Sequence, residues 1–300
     1  MSTLTSAPAR TTAPAPTRRM SFGTWFAELG WRYAVGLVAI VYSAFPIVYV
    51  ISSSVSRSGS LSGSARLFTS FSGDNYAALG GTRFWQWTVN TLVIASITAV
   101  ATVIMGAAAA YAFSRFRFRG RRTALTSLLV IQMFPQLLAF VAVFLLLLSL
   151  GEVVPALGLN SRLALIMVYL GGALGVNTFL MYGFLNTIPK EIDEAAKIDG
   201  ASHAQIFWTI ILRLVAPILA VVALLSFISS FSDFLLAKLI LQSEENWTLA
   251  VGMFQWVSDQ TNANWGLFTA GAVVSAIPVV LLFLFLQKYI VGGLTAGSVK

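Results

Sequence analysis

The chain has 300 residues, of which 57% are hydrophobic and 10% charged, and its mean hydropathy is +0.82. Soluble domains carry about a quarter charged residues, so one large water-soluble core is excluded and most of the chain is expected in lipid. The net charge of +8 is scattered through short segments between apolar blocks and forms no continuous basic face, so no nucleic-acid partner is expected. The absence of cysteine excludes a disulfide framework, a thiolate metal site and a cysteine nucleophile.

The first stretch, residues 1–24, is rich in Ala, Pro, Thr and Arg and cannot bury enough apolar area to offset chain entropy; it reads as a disordered cytoplasmic arm. The first apolar block is full length and lies too far in for a cleavable signal, so it is expected to stay as an anchor. Residues 25–300 then read as one transmembrane domain. A helix needs roughly 20 apolar residues to cross the hydrocarbon core, and the blocks meet that length while alternating too poorly for barrel strands. The expected fold class is all-α: a polytopic membrane protein with six transmembrane helices, placed near Trp31–Ser52, Trp85–Phe113, Thr123–Leu150, Leu163–Leu185, Leu214–Leu241 and Gly266–Val291.

Six crossings put both termini on one side, and the positive-inside tendency makes that side cytoplasmic. In that orientation the arginines of the arm, the segment Arg115–Arg122, Lys190, Lys197, Arg213, Lys288 and Lys300 face the cytoplasm. Arg57, Arg66, Arg83 and Arg162 face outside. The five arginines within Arg115–Arg122 fit a topological anchor beside anionic headgroups, or a docking surface. Pro46, Pro135, Pro217 and Pro278 fall inside spans and are expected to bend them. Gly171, Gly172 and Gly175 suit close backbone approach within the fourth span.

Polar residues inside the spans have two readings. Asn90, Gln132, Asn177 and Asp233, with Gln136 and Tyr182, are candidates for lining a solute pathway. The same residue types also serve interhelical hydrogen bonds.

Between the fourth and fifth spans the segment from Asn186 to about Arg213 has more pattern than a simple connection. Pro189 is placed to open a short helix, and Glu191, Asp193 and Glu194 put negative charge at its positive end. Gly200 suits the left-handed conformation that stops such a helix, and Ser202 with Gln205 three residues on is a capping-box pattern for a second helix. The first helix is acidic on balance and its apolar face is small, which favours a protein groove over the headgroup plane. Small Ala195 and Ala196 would permit close approach there, and Glu194 would offer a charge.

Glu194-Ala195-Ala196, followed by Gly200, Ile210 and Leu212, resembles the "EAA" loop of permease subunits in binding-protein-dependent ABC importers. Asn90-Thr91, Ala110-Tyr111-Ala112-Phe113-Ser114-Arg115, Ile188-Pro189, Phe231-Ser232-Asp233-Phe234 and the run from Gln287 to Lys300 resemble the sugar-importing branch, the tail being similar to maltose/maltodextrin permease subunits. The resemblance covers about Trp31 to Lys300. It departs at Arg213, where the family usually has proline, although Pro217 matches a later proline position.

This resemblance implies a bacterial plasma-membrane subunit in which Glu194, Ala195, Ala196, Lys197, Asp199, Gly200 and Phe207 couple to an ATPase. It further implies a second permease subunit, two cytoplasmic ATPase subunits and an extracytoplasmic sugar-binding protein, with maltose, maltodextrin or trehalose as the solute. The chain itself has no Gly-x-x-x-x-Gly-Lys-Ser/Thr loop, so ATP and magnesium are expected in the partner ATPase and no cofactor or catalysis in this chain. His203, the single histidine, lacks the carboxylate and histidine spacing of a metal site and reads as a surface or docking residue. A secondary transporter or channel working without ATP is the alternative; a lone span aspartate and the elaborate loop argue against it.

Overall fold

The structure is a computed structural model that describes residue 23 and residues 26–57, 67–68, 70–258 and 263–296, with side chains of Gln136 and 291–296 left aside. The N-terminal arm expected over residues 1–24 lies outside the described residues except for Gly23. Among the described residues the regular structure is helical, in the order α1 (Trp31–Ser54, preceded by a wide turn at Phe26–Gly30), α2 (Asp74–Leu79), α3 (Phe84–Arg115), α4 (Arg121–Gln132) and α5 (Gln136–Val153). There follow α6 (Arg162–Leu185), α7 (Glu191–Ile198), α8 (His203–Leu214), α9 (Ala216–Ser232), α10 (Leu235–Ile240), α11 (Leu249–Ser258) and α12 (Trp265–Ala296). The chain forms two compact units, Met1–Tyr49 and Val50–Lys300, with the boundary inside α1.

Four helices, Phe26–Ser54, α3, α6 and Trp265–Ile290 of α12, are each long and apolar enough to span a membrane, and bent pairs raise the number to six. The expected third and fifth spans are therefore corrected from continuous helices to broken ones. α4 and α5 meet at 101° where Pro135 lacks the N–H that would bond the carbonyl of Ile131 and pushes Phe134 out of the helical region. α9 stops at Ser232, and Asp233 adopts an extended conformation before α10 begins. The other span prolines, Pro46 and Pro278, stay inside continuous helices.

In the second unit α3 is the central element, packed on α6 and α9, with α9 also against α12. Its buried stripe is mostly small: Ala95, Thr98, Ala99, Thr102, Gly106, Ala107 and Ala110. Val89, Val93, Ile97, Val100 and Ile104 point outward. Small residues inside and large apolar ones outside is the arrangement expected where the surroundings are as apolar as the core. Two main clusters of buried side chains result. One gathers Phe84, Trp87, Leu165, Tyr169, Trp247 and Met253 around the first half of α3. The other gathers Ala107, Ala110, Tyr111, Met181, Leu185, Ala196, Phe207 and Ile211 around its last turns, beneath the loop joining α6 to α9.

Candidate functional site

The loop between α6 and α9 folds as the local signals dictate. α7 begins at Glu191, two residues after Pro189, with Glu191, Asp193 and Glu194 in its first turn and Lys197 in its last, complementing the helix dipole at both ends. Gly200 has φ of +83°, a value that costs glycine nothing. There the Gly200 N–H bonds the carbonyl of Lys197 at 3.0 Å and the Ala201 N–H that of Ala196 at 2.9 Å, the paired bonds that close a helix with a left-handed residue. Ser202 and Gln205 form the reciprocal capping box: the Ser202 N–H donates to Gln205 Oε1 at 2.8 Å and the Gln205 N–H to Ser202 Oγ at 3.3 Å. α8 then runs through a wide turn at Ile206–Ile211, bent by 79° from α9. The bend persists with Arg213 in place of a proline because Pro217, lacking an N–H, cannot bond the Arg213 carbonyl one turn back.

The exposed and buried faces of α7 divide the residues that the family resemblance assigns to coupling. Glu194, Ala195 and Lys197 are exposed, as are Asp199 and Gly200 just beyond. Ile198, which sequence reading passed over, is 87% exposed although fully apolar. Ala196 is buried, turned toward Phe207, Ile206 and Leu185, so only one of the two alanines is available to an approaching partner. Phe207 is also buried, its ring 5.3 Å from that of Tyr111 on α3. Within this chain both pack into the cluster beneath the loop. His203 is exposed and stacks edge-on to Phe116 with ring centres 4.9 Å apart.

Beside Ala196 the inner face of α7 carries Asp193, whose Oδ2 lies 2.8 Å from Nε of Arg115 at the end of α3. The contact is a close charge pair without an aligned N–H···O bond. In the sequence Arg115 belongs to a basic run and to the Ala110–Arg115 resemblance, and Asp193 to the first-turn charges of α7; neither pattern pairs them. The signal that could have found them is the spacing of Asp193 and Ala196, which puts the carboxylate on the helix's small, inward face.

Among the described side chains, the candidates for a solute pathway make bonds within the chain. Asn90 is buried, its Nδ2 donating to the carbonyls of Glu245 at 2.8 Å and Trp247 at 3.0 Å, while its Oδ1 accepts from Arg162 Nη1 at 2.9 Å. Both of its N–H donors are thus used within the chain, while its Oδ1, with two lone pairs, has one of them taken by Arg162. Gln132 Nε2 donates to the Gly172 carbonyl at 2.7 Å, and its side chain fills the space beside Gly175. Gly175 therefore admits a side chain and not a neighbouring backbone. Asn177 bonds the carbonyl of Ala173 in its own helix at 2.8 Å. Asp233 Oδ1 accepts from Tyr169 Oη at 2.9 Å and from the Ala237 N–H at 3.0 Å, which pins the helix break and opens α10. Tyr182 packs under Arg121, its hydroxyl accepting from Nη2 at 3.0 Å. Gln136 lies at the start of α5 and its side chain is outside the described residues.

Comparison with known proteins places this architecture. The galactooligosaccharides transport system permease protein GanQ of Bacillus subtilis is 39% identical over 279 residues, covering 92% of this chain and 96% of that one. The maltose/maltodextrin transport system permease protein MalG of Salmonella typhimurium is 44% identical over 216 residues, 72% of each chain. A crystal structure of a bacterial ABC transporter involved in the import of the acidic polysaccharide alginate contains a chain that superimposes with a TM-score of 0.73 at 26% identity, over 91% of this chain and 99% of that one. The family described as the binding-protein-dependent transport system inner membrane component matches residues 101–295, from the middle of α3 through the α7 loop to the last helix, and the chain belongs to that family.

Proposed function

We propose that this chain is the transmembrane permease subunit of an ABC sugar importer in a bacterial plasma membrane, taking up an α-linked gluco-oligosaccharide such as maltose, maltodextrin or trehalose. It forms the translocation pathway with a second permease subunit and receives the solute from an extracytoplasmic binding protein. Two cytoplasmic ATPase subunits hold ATP and magnesium and do the hydrolysis. The termini and the α7 loop face the cytoplasm.

The observation that carries this reading is α7: a short helix held at a fixed angle by Gly200 and the Ser202–Gln205 box, with Glu194, Ala195, Lys197 and Ile198 bare on its outer face. A small, partly apolar, charged ridge on a rigid mount suits insertion into a groove on a protein. Its occurrence in a chain about 40% identical to oligosaccharide permeases supports the ATPase as that protein and sugar as the cargo.

Two measurements test it. A strain lacking this subunit should lose high-affinity uptake of at least one of these sugars, unchanged uptake of all three overturning the assignment, and the purified complex should retain a stoichiometric ATPase. Solute movement by the chain alone, reconstituted under an ion gradient, would instead support a secondary transporter. Orientation is checked by labelling single cysteines placed at Arg117, Lys197 and Glu244, since the chain has none of its own. The first two should react from the cytoplasmic side and the third from outside.

A further inference from the structure

The last turn of α3 and the inner face of α7 meet through a buried charge pair. The side chains of Arg115 and Asp193 are 5% and 6% exposed, with Nε and Oδ2 2.8 Å apart. Arg115 is engaged on its other nitrogens as well: Nη2 donates to the carbonyl of Ile188 at 3.2 Å, and Nη1 lies 3.5 Å from that of Leu185, the final residue of α6. The neighbouring Ser114 hydroxyl bonds Oδ1 of Asn186 at 2.8 Å. One guanidinium therefore joins three elements: the end of α3, the end of α6 and the inward face of α7.

A buried ion pair is a poor choice for stability alone, because the cost of removing both charges from water roughly cancels their attraction, and apolar side chains of similar volume do as well or better. What a planar, multiply bonded guanidinium supplies is fixed relative position. Behind α7 the remaining buried groups are apolar, Ala196 sharing one cluster with Leu185, Ile206 and Phe207. Such contacts resist separation but permit sliding. The close charge contact between Arg115 and Asp193 opposes that sliding.

We infer that the Arg115–Asp193 pair is a strut that locks the position of α7 to the ends of α3 and α6, so that a displacement imposed on α7 moves both spanning helices together. The two are positioning residues, touching neither solute nor nucleotide. The inference rests on the proposed role of α7 as the ATPase contact, and it adds the route by which force leaves that contact.

The test uses the full complex in proteoliposomes, reading sugar moved per ATP hydrolysed, together with the thermal midpoint of the complex. Asp193→Asn and Arg115→Lys should lower the ratio roughly 2- to 30-fold, the range by which residues on a coupling route alter it. The paired apolar variant Arg115→Met with Asp193→Leu removes the burial cost, so it should recover the wild-type midpoint and ATPase binding yet keep the lowered ratio. A wild-type ratio in that double variant would overturn the strut, since the pair would then only fill space. The second readout is the distance distribution between spin labels at Arg117→Cys and Ile198→Cys, both exposed positions. It should broaden on Asp193→Asn, and an unchanged width would also overturn the strut. If instead the wild-type complex binds no ATPase, the proposed function fails and not the strut, whose label distances can still be measured.

Discussion

At its first turns α3 is held mostly by neutral groups, with Arg162 on Asn90 Oδ1 and a half-exposed Arg83–Glu244 pair beside them. The indole Nε1 of Trp87 donates to the carbonyl of Glu244 at 2.9 Å, Asn90 reaches two further carbonyls of the same loop, and the Thr91 hydroxyl accepts from the Leu249 N–H at 2.7 Å. Trp87 also lies against Gly252, so closely that a Cβ there would collide with its ring. At its last turn α3 is held by one guanidinium, by the neighbouring Ser114–Asn186 bond and by side chains packed under α7. The first end distributes its hold over many buried bonds that have no alternative partners, so it can move only by breaking them together. The second concentrates its hold in one charged group beside a helix with a bare outer face. Under the coupling role proposed for α7, the contrast is that of an anchored end and a driven end on a single helix.

The largest cost to the fold is expected at the anchored end. Trp87→Ala removes a side chain only 2% exposed together with its bond to the Glu244 carbonyl, and should cost about 3–5 kcal/mol. Gly252→Ala overfills the same site and should cost about 1–3 kcal/mol. Both are read from the thermal midpoint and the yield of folded complex. A Trp87→Ala complex of wild-type stability would remove the distinction between the two ends.

Asn90→Ala comes next and separates anchoring from solute contact. It leaves the Trp247 carbonyl without its Asn90 donor and removes one bond each from the Glu245 carbonyl, which keeps Gln86, and from the exposed Arg162, for a cost of about 1–3 kcal/mol. The sugar concentration giving half-maximal uptake should not change. A shift in that concentration with no loss of stability would place Asn90 in the pathway and weaken the reading of this end as a clamp.

How much of this could be read in advance differs between the two ends in an instructive way. The Gly200 stop and the Ser202–Gln205 box depend on residues within a few positions of one another, so their chemistry was visible in the chain order. The approximate places of the long helices were visible because hydropathy over 20 residues is also a local sum. Whether a proline kinks or breaks a span is not local: Pro46 and Pro278 are tolerated in continuous helices while Pro135 ends one. The break at Asp233 is held by Tyr169, 64 residues away in sequence. α11 was missed because ten apolar residues are too few to read as a span. The division of Ala195 from Ala196 needed the orientation of α7 against α3, and a carboxylate on the inward side contradicts the usual expectation that acids face solvent.

At the driven end the costs fall. Gly200→Val sets a β-branched residue at φ of +83°, while no neighbouring atom lies within 4 Å of the added Cβ. The whole penalty is therefore backbone strain, about 1–3 kcal/mol. Gly200→Asn should recover most of it, since asparagine visits this conformation. If the two variants lose the same amount, packing and not conformation governs the bend.

The smallest cost to the fold is expected for Glu194→Lys, and it is the sharpest test of the comparison. Glu194 is exposed on α7 and takes part in no salt bridge among the described residues, so stability should change by no more than about 0.5 kcal/mol. The loss of one first-turn carboxylate is a helix-dipole term shared with Glu191 and Asp193, which keeps it small. Yet the substitution reverses a charge at the centre of the face offered to the ATPase, and a reversed charge at an interface costs a partner several kcal/mol. ATPase retention on purification should fall by about tenfold or more, and sugar uptake with it. The two effects are predicted to separate completely: an unaltered midpoint for the chain, and a lost partner. At the anchored end Trp87→Ala and Asn90→Ala should not separate them, because both side chains are buried against their own chain. A Glu194→Lys complex that keeps its ATPase and transports at the wild-type rate would leave α7 as an ordinary surface helix, and α3 as a rod anchored at one end and driven by nothing at the other.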